Sequence, residues 1–140
     1  NYGAGRWDRV HRTLAISVRA AVISSLFSII AFTLFPEQLV HLFIADSDPA
    51  AQIAIEGFPY FATGFLFFIL NLVAIGYLQS IDKVAASTIF ALLRGVVFLF
   101  PAFLLLPQVM GVEGMWLALP LSELLTFIVV VGYMFFKRSR

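Results

Sequence analysis

Two ionisable side chains stand deep inside apolar sequence: Arg94, 11 residues past Lys83, and Glu123, 13 residues short of Phe136. At about 1.5 Å of helix per residue, both reach a depth of roughly 16–20 Å from the same side. A charge at the centre of a membrane helix costs about 2.5–3.5 kcal/mol, so each needs a compensating group. The short connection between their segments makes these antiparallel neighbours, and a buried ion pair between Arg94 and Glu123 meets the need. Alternatively, Arg94 can extend its long stem to the interface. Two uses of Glu123 stand side by side: a structural pair locking a helix hairpin, or a carboxylate that loads and releases a proton or cation along a pathway. A third apolar segment carries Asn71 near its centre and Thr63 eight residues earlier, so that Thr63, Phe67, Asn71 and Leu78 share one helical face. That mixed stripe suits a cavity for an amphipathic organic ligand, or adhesion between helices through the amide. Pro101 and Pro120 each remove a backbone hydrogen bond within apolar sequence and are candidate hinges.

The elements that must position these groups follow from composition. The chain has 140 residues, 61% hydrophobic and only 12% charged, about half the usual charged share. A soluble domain must cover its core with polar groups, and this chain does not have enough of them; a bilayer is the partner its surface requires. A net charge of +1 supplies no phosphate-neutralising surface, which excludes nucleic acid as a partner. With no cysteine, disulfide frameworks and thiolate metal sites are excluded too. Four apolar blocks of about 20 residues, the length that crosses roughly 30 Å of hydrocarbon, cover residues 13–35, 58–78, 84–106 and 114–136. They show no two-residue alternation, so helices are expected rather than barrel strands, and the fold class is an all-α integral membrane protein with four transmembrane helices. Pro36 ends the first block and Pro107 the third. The stretch Met110-Gly111-Val112-Glu113-Gly114 makes a tight reversal into the fourth.

Charge sorting sets the orientation. Arg6, Arg9, Arg12 and Arg19 flank the start of the first block, Lys83 lies between the second and third, and Lys137, Arg138 and Arg140 follow the fourth. Glu37, Asp46, Asp48, Glu56 and Glu113 fall on the opposite side. Basic residues mark cytoplasmic loops, so both termini are expected in the cytoplasm, which four crossings permit. Within the external connection 37–57, Leu39, Val40, Leu42, Phe43 and Ile44 suggest a short amphipathic helix at the outer interface, and Asp46-Ser47-Asp48-Pro49 suits the cap of a second short helix. The chain opens on Asn1 and a polar, basic dozen residues, which reads as a piece of a processed or longer protein. Gly3-Ala4-Gly5-Arg6-Trp7-Asp8 lacks the third glycine and the preceding strand of a dinucleotide fingerprint. His11 and His41 fall on opposite sides and cannot share a metal, and no enzyme motif is present.

Several stretches taken in order resemble the C-terminal part of the multidrug and toxic compound extrusion (MATE) family, in its bacterial branch of sodium-driven multidrug pumps. They are Asn1-Tyr2-Gly3-Ala4-Gly5, Gly76-Tyr77-Leu78-Gln79-Ser80-Ile81-Asp82-Lys83, Leu93-Arg94-Gly95, Pro101, Leu106-Pro107, Gly111 with Gly114 and Trp116, and Pro120-Leu121-Ser122-Glu123. The resemblance implies that the four blocks are helices nine to twelve of a twelve-helix, two-lobed antiporter of the bacterial inner membrane. It further implies that the N-terminal helices of the same protein lie upstream, that small organic cations or drugs are exported, and that Na+ or H+ is the coupling ion, with no other cofactor. Some members use a carboxylate in helix ten for cation coupling; residues 58–78 contain no Asp or Glu, leaving Asn71 as a positional substitute. A lipid-linked sugar flippase of the same superfamily, and a four-helix assembly subunit that transports nothing, are the alternatives.

Overall fold

The computed structural model describes residues 1–138, so Arg140 of the C-terminal basic group lies outside the described residues. Seven α-helices and one π turn follow in chain order, with no strand among the described residues: α1 (Trp7–Leu34), α2 (Pro36–Val40), α3 (Pro49–Ala62), α4 (Phe65–Ser80), α5 (Val84–Leu92), the π turn (Leu93–Val97), α6 (Leu99–Met110) and α7 (Val112–Arg138). α1, the α5-to-α6 run Val84–Met110 and α7 are each long and apolar enough to cross a membrane. α3 and α4 reach that length and apolarity only as a pair, bent by 57°, which gives three to four such helices among the described residues. The protein is therefore all-α and membrane-spanning.

Local chemistry sets the ends of these elements. The polar N-terminal residues join α1, so that helix begins at Trp7 rather than at the first apolar residue. Within it, Ser25 and Ser28 donate to the carbonyls of Val22 and Ser24 at 2.9 and 3.0 Å, and Ser24 donates to Ala20, so the hydroxyls are satisfied without water. Arg19 projects from the exposed side of this helix, three turns beyond its start rather than flanking it. Pro36 then opens α2, which is shorter than the helix expected over Leu39 to Ile44. It stops at Val40, and the turns Phe43 N–H to Val40 O and Ile44 N–H to Val40 O carry Leu42 and Phe43 out to the surface. Val40 itself is buried against Ala51 and Ala54.

The second short helix foreseen after Asp48 is instead 14 residues long and runs to the bend that joins it to α4. Asp48 accepts the Ala50 N–H at 2.9 Å and Pro49 occupies the first turn, a strong helix start. The 58–78 block is accordingly not one straight helix. It breaks at Thr63 and Gly64, because α7 approaches so closely there that a Cβ on Gly64 would sit 2.7 Å from the Pro120 Cα. Thr63 stands at that break on the same cavity as Phe67, and closes the end of α3 by donating to the Tyr60 carbonyl at 2.6 Å.

Pro107 does not end the third block. The helix continues to Met110, since a proline forfeits only its own N–H and its carbonyl still accepts from Gly111 at 2.9 Å. Gly111 then turns the chain with φ +68°, and α7 returns along α6 with Gly114 against the Leu106 carbonyl, where no side chain fits. α1 packs along α3 and α4, while α7 packs on α3, α4, α6 and the π turn, making α7 the central helix. One buried cluster joins Val10, Ile75, Leu78, Ile81, Phe90 and Val130, which places the start of α1, the end of α4, the start of α5 and the end of α7 at one end of the bundle. Arg6, Arg9, Arg12, Lys83 and Lys137 gather there, and Glu37, Asp46, Asp48, Glu56 and Glu113 belong to the other end. Charge is thus sorted in space as it is along the chain. Aromatic packing fixes the acidic end: Trp116 lies directly on Gly57 and meets Phe58 and Phe61 edge-on, at centroid distances of 6.4 and 6.3 Å.

Gly57→Val should displace the Trp116 ring and lower stability by about 1–3 kcal/mol, the usual cost of overpacking. Gly132→Ala, with open space around the new methyl, should be neutral. Thermal unfolding of the two variants in detergent checks this, and equal midpoints would show that Trp116 does not depend on Gly57.

Candidate functional site

Where α4, the π turn and α7 meet, Asn71, Arg94 and Glu123 come into direct contact. Glu123, 1% exposed, is the largest fully buried side chain among the described residues. Its carboxylate accepts from Arg94 Nε at 2.9 Å (Oε1) and 3.2 Å (Oε2), and from Arg94 Nη2 at 2.6 Å (Oε1). From α4, Asn71 Nδ2 donates to Oε2 at 2.8 Å and to the Glu123 backbone carbonyl at 2.9 Å. The Phe68 ring covers one face of the guanidinium, its centroid 4.7 Å from Cζ, adding a cation–π contact where water is scarce. Arg94 therefore turns inward to Glu123 rather than extending to the interface. The pair brings no net charge into the hydrocarbon, which is how such a site becomes tolerable there.

The backbone joins in. Phe98 N–H, which α-helical geometry would direct to the Arg94 carbonyl, goes instead to Leu93 O at 2.9 Å. Ser122 Oγ donates to the vacated Arg94 carbonyl at 2.5 Å. One residue of the π turn is thus held twice from α7, through its carbonyl by Ser122 and through its side chain by Glu123. Thr126, also buried, stays within its own helix and donates to Ser122 O at 2.8 Å. Asn71 Oδ1 is buried and meets no donor among the described residues. It leaves an acceptor beside the carboxylate for a proton donor or a cation.

Thr63 and Phe67 lie apart from this cluster. They line an apolar cavity of about 340 Å³ between the α3 and α4 break and α7, with Leu106, Pro120 and Leu124 on its other walls. Phe67 also meets Phe127, with ring centroids 5.3 Å apart. The two prolines have different surroundings. Pro120 is buried at the Gly64 contact within a continuous α7. Pro101 is the third residue of α6, and its missing N–H falls opposite Val97, the last residue of the π turn. The irregularity expected at Pro101 therefore lies one turn ahead of it. His11 sits beside Trp7, and His41 Nδ1 stands 2.8 Å from Asp46 Oδ1.

Ser122, Phe68 and the π turn are parts of the site that pattern reading missed. Ser122 carried one usable signal, its place beside a buried glutamate; Phe68 is one of 16 phenylalanines and carried none.

Residues 1–104 match the family model described as MatE, a region that includes Asn71 and Arg94 and stops before Glu123. A solved structure described as "protein A" superposes with a TM-score of 0.85 at 31% identity, over 99% of this chain and 31% of that one, so the chain spans under a third of its length. No curated protein matches. With the family model covering most of its length and nearly the whole chain superposable on a longer structure, the chain belongs to the MatE family of membrane transporters.

Proposed function

We propose that this chain is the C-terminal part of a secondary active antiporter that exports organic cations or drugs in exchange for Na+ or H+, with Glu123 and Asn71 on the coupling pathway. The observation that carries the reading is the fully buried carboxylate at the junction of three helices, with an unpaired amide oxygen beside it. A carboxylate there can exchange its guanidinium partner for a proton or a cation without water entering, because Asn71 remains as a second donor. Family members with an acidic residue in helix ten are matched here by a different division of labour: α4 supplies the amide and α7 brings the carboxylate to it. Thr63 and Phe67, on the neighbouring apolar cavity, are placed to meet the hydrophobic body of a substrate. Helices preceding Asn1 complete the second lobe, and the basic end of the bundle, with both termini, faces the cytoplasm of a bacterial cell.

Expression of the upstream-extended protein in an efflux-deficient bacterium should lower accumulation of a cationic dye, and when the Na+ and H+ gradients are collapsed separately, loss of the coupling gradient should abolish the effect. In the same assay Glu123→Gln should return accumulation to the vector control; export that keeps its rate and its gradient dependence in a well-expressed Glu123→Gln protein would remove Glu123 from the pathway. Stability should separate the pair from its parts. Removing one partner of a buried ion pair costs about 3–5 kcal/mol, so Glu123→Ala should lower the Tm of the detergent-purified transporter, and adding Arg94→Leu to it should recover most of the loss. A double variant no more stable than the single one would show that the guanidinium is not the source of the penalty.

A further inference from the structure

The α4 and α5 helices form a hairpin bounded by a break at each end, and both breaks lie against the same turn of α7. At one end the chain bends by 57° at Thr63 and Gly64, with Gly64 seated on Pro120. At the other, the helix loosens into the Leu93–Val97 π turn, held by Ser122 and Glu123. No residue of that turn is fully buried, and a Cβ at Gly95 would meet nothing within 4 Å. Leu93 packs against the apolar cluster below, and the turn's side-chain hydrogen bonds to α7 are those of Arg94 with Glu123 and Ser122. The hairpin's polar ties to α7 converge on residues 122 and 123: Asn71 and Arg94 both donate to Glu123, and Ser122 holds the Arg94 carbonyl. By contrast α6 is fixed to α7 by the contact of Gly114 with Leu106. In the apolar cluster below, Ile75, Leu78, Ile81 and Phe90 of the hairpin and its turn pack with Val10 of α1 and Val130 of α7, with Tyr133 and Met134 of α7 against them and Tyr133 edge-on to Phe90 at 5.3 Å. These are apolar contacts, which lipid can replace when the hairpin tilts.

We propose that residues 65–92 move as one body about these two breaks, and that Glu123 is the latch: when its charge is neutralised, Arg94 is released and the basic end of the α4–α5 hairpin tilts away from α7 while α6 stays in place. The inference rests on the coupling role given above to Glu123 for what neutralises it, and on the geometry alone for what moves. Arg94 from the π turn is the charged group facing Glu123; from α4 it meets Asn71, which does not titrate, and no second charged side chain contacts it among the described residues. Once the carboxylate is neutral, the guanidinium is an unpaired cation in hydrocarbon, and its departure is the cheapest relief. The proline at position 101 weakens the helix just beyond, where the Val97 carbonyl lacks its usual donor.

Paired spin labels in the full-length transporter test this. Val84 on α5 and Phe135 on α7 are both exposed at the basic end. Val84 stands about 15 Å along the helix from Arg94, so a tilt of roughly 15° moves it about 4 Å. In Glu123→Gln the distance between labels at 84 and 135 should lengthen by about that amount, and Arg94→Gln should give the same shift. A second pair at Val109 and Met115, across the fixed α6 and α7 reversal, should not change in either variant. An unchanged 84-to-135 distance overturns the latch, and so does an equal disturbance of both pairs, which would mark the ion pair as a general staple of the fold. Ser122→Ala, which keeps both charges, should broaden the 84-to-135 distribution without moving the other pair. Loss of export in Glu123→Gln with unchanged distances would overturn the latch and keep the coupling role; intact export with a lengthened distance would keep the latch and remove the coupling role.

Discussion

Hydrocarbon offers no partner to a polar group, so each one placed at mid-span must find its complement within the protein. Everything around Glu123 obeys that constraint. Its carboxylate is met by a guanidinium from one helix and an amide from another, and the carbonyl freed by the π turn is met by the hydroxyl next to it in sequence. Three helices are thereby fixed at one depth by directional bonds, whereas the surrounding Leu, Ile, Val and Phe residues leave sliding and rotation comparatively free. The exception is Asn71 Oδ1, an acceptor with no donor among the described residues, located beside the group best suited to hold a charge.

The close contacts of glycine serve a different purpose from the polar junction. Gly57 under Trp116, Gly64 on Pro120 and Gly114 on the Leu106 backbone let α7 approach its neighbours more closely than side chains permit. Small residues play this part widely between membrane helices, where dispersion rather than the hydrophobic effect holds the faces together. The three contacts follow α7 from its first turn to just above Glu123, which sets the helix against α3, α4 and α6 and presents residues 122 and 123 to the π turn. Steric closeness at one end thus supports hydrogen bonding at the centre.

Much of this was legible in the residues themselves. The membrane class and the crossings follow from composition and run length, and the meeting of Arg94 with Glu123 follows from depth arithmetic on two charges that lipid would not accept alone. Other features depend on contacts between residues distant in sequence. The bend at Gly64 lies against Pro120, 56 residues later in the chain, so an unbroken apolar run from 58 to 78 looked like one helix; Thr63 and Phe67 line one cavity, while Asn71 turns to Glu123. A π turn has no signature in Leu93-Arg94-Gly95-Val96-Val97; it exists because Ser122 supplies the donor that the backbone withdrew. The short helix expected over Leu39 to Ile44 forms earlier, over Pro36–Val40, because five apolar residues broken by His41 state hydrophobicity without period, and Val40 and Ile44 turn inward while Leu42 and Phe43 stay exposed. Asn71 could be read as adhesive or as functional, and its contact with Glu123 is compatible with both roles.

The separation of the two charges along the chain also matters for how the protein is made. Arg94 and Glu123 are 29 residues apart, so the guanidinium is synthesised, and reaches the membrane, ahead of its counter-charge. Released singly into lipid, the span from Val84 to Met110 would carry an uncompensated cation at its centre, a penalty of about 2.5–3.5 kcal/mol. The short Gly111 turn lets the next helix follow at once, and co-insertion of the two as a hairpin delivers the carboxylate together with the arginine. The ion pair is in this sense an instruction for biogenesis: it favours a membrane-insertion machinery that retains one helix until its successor has arrived.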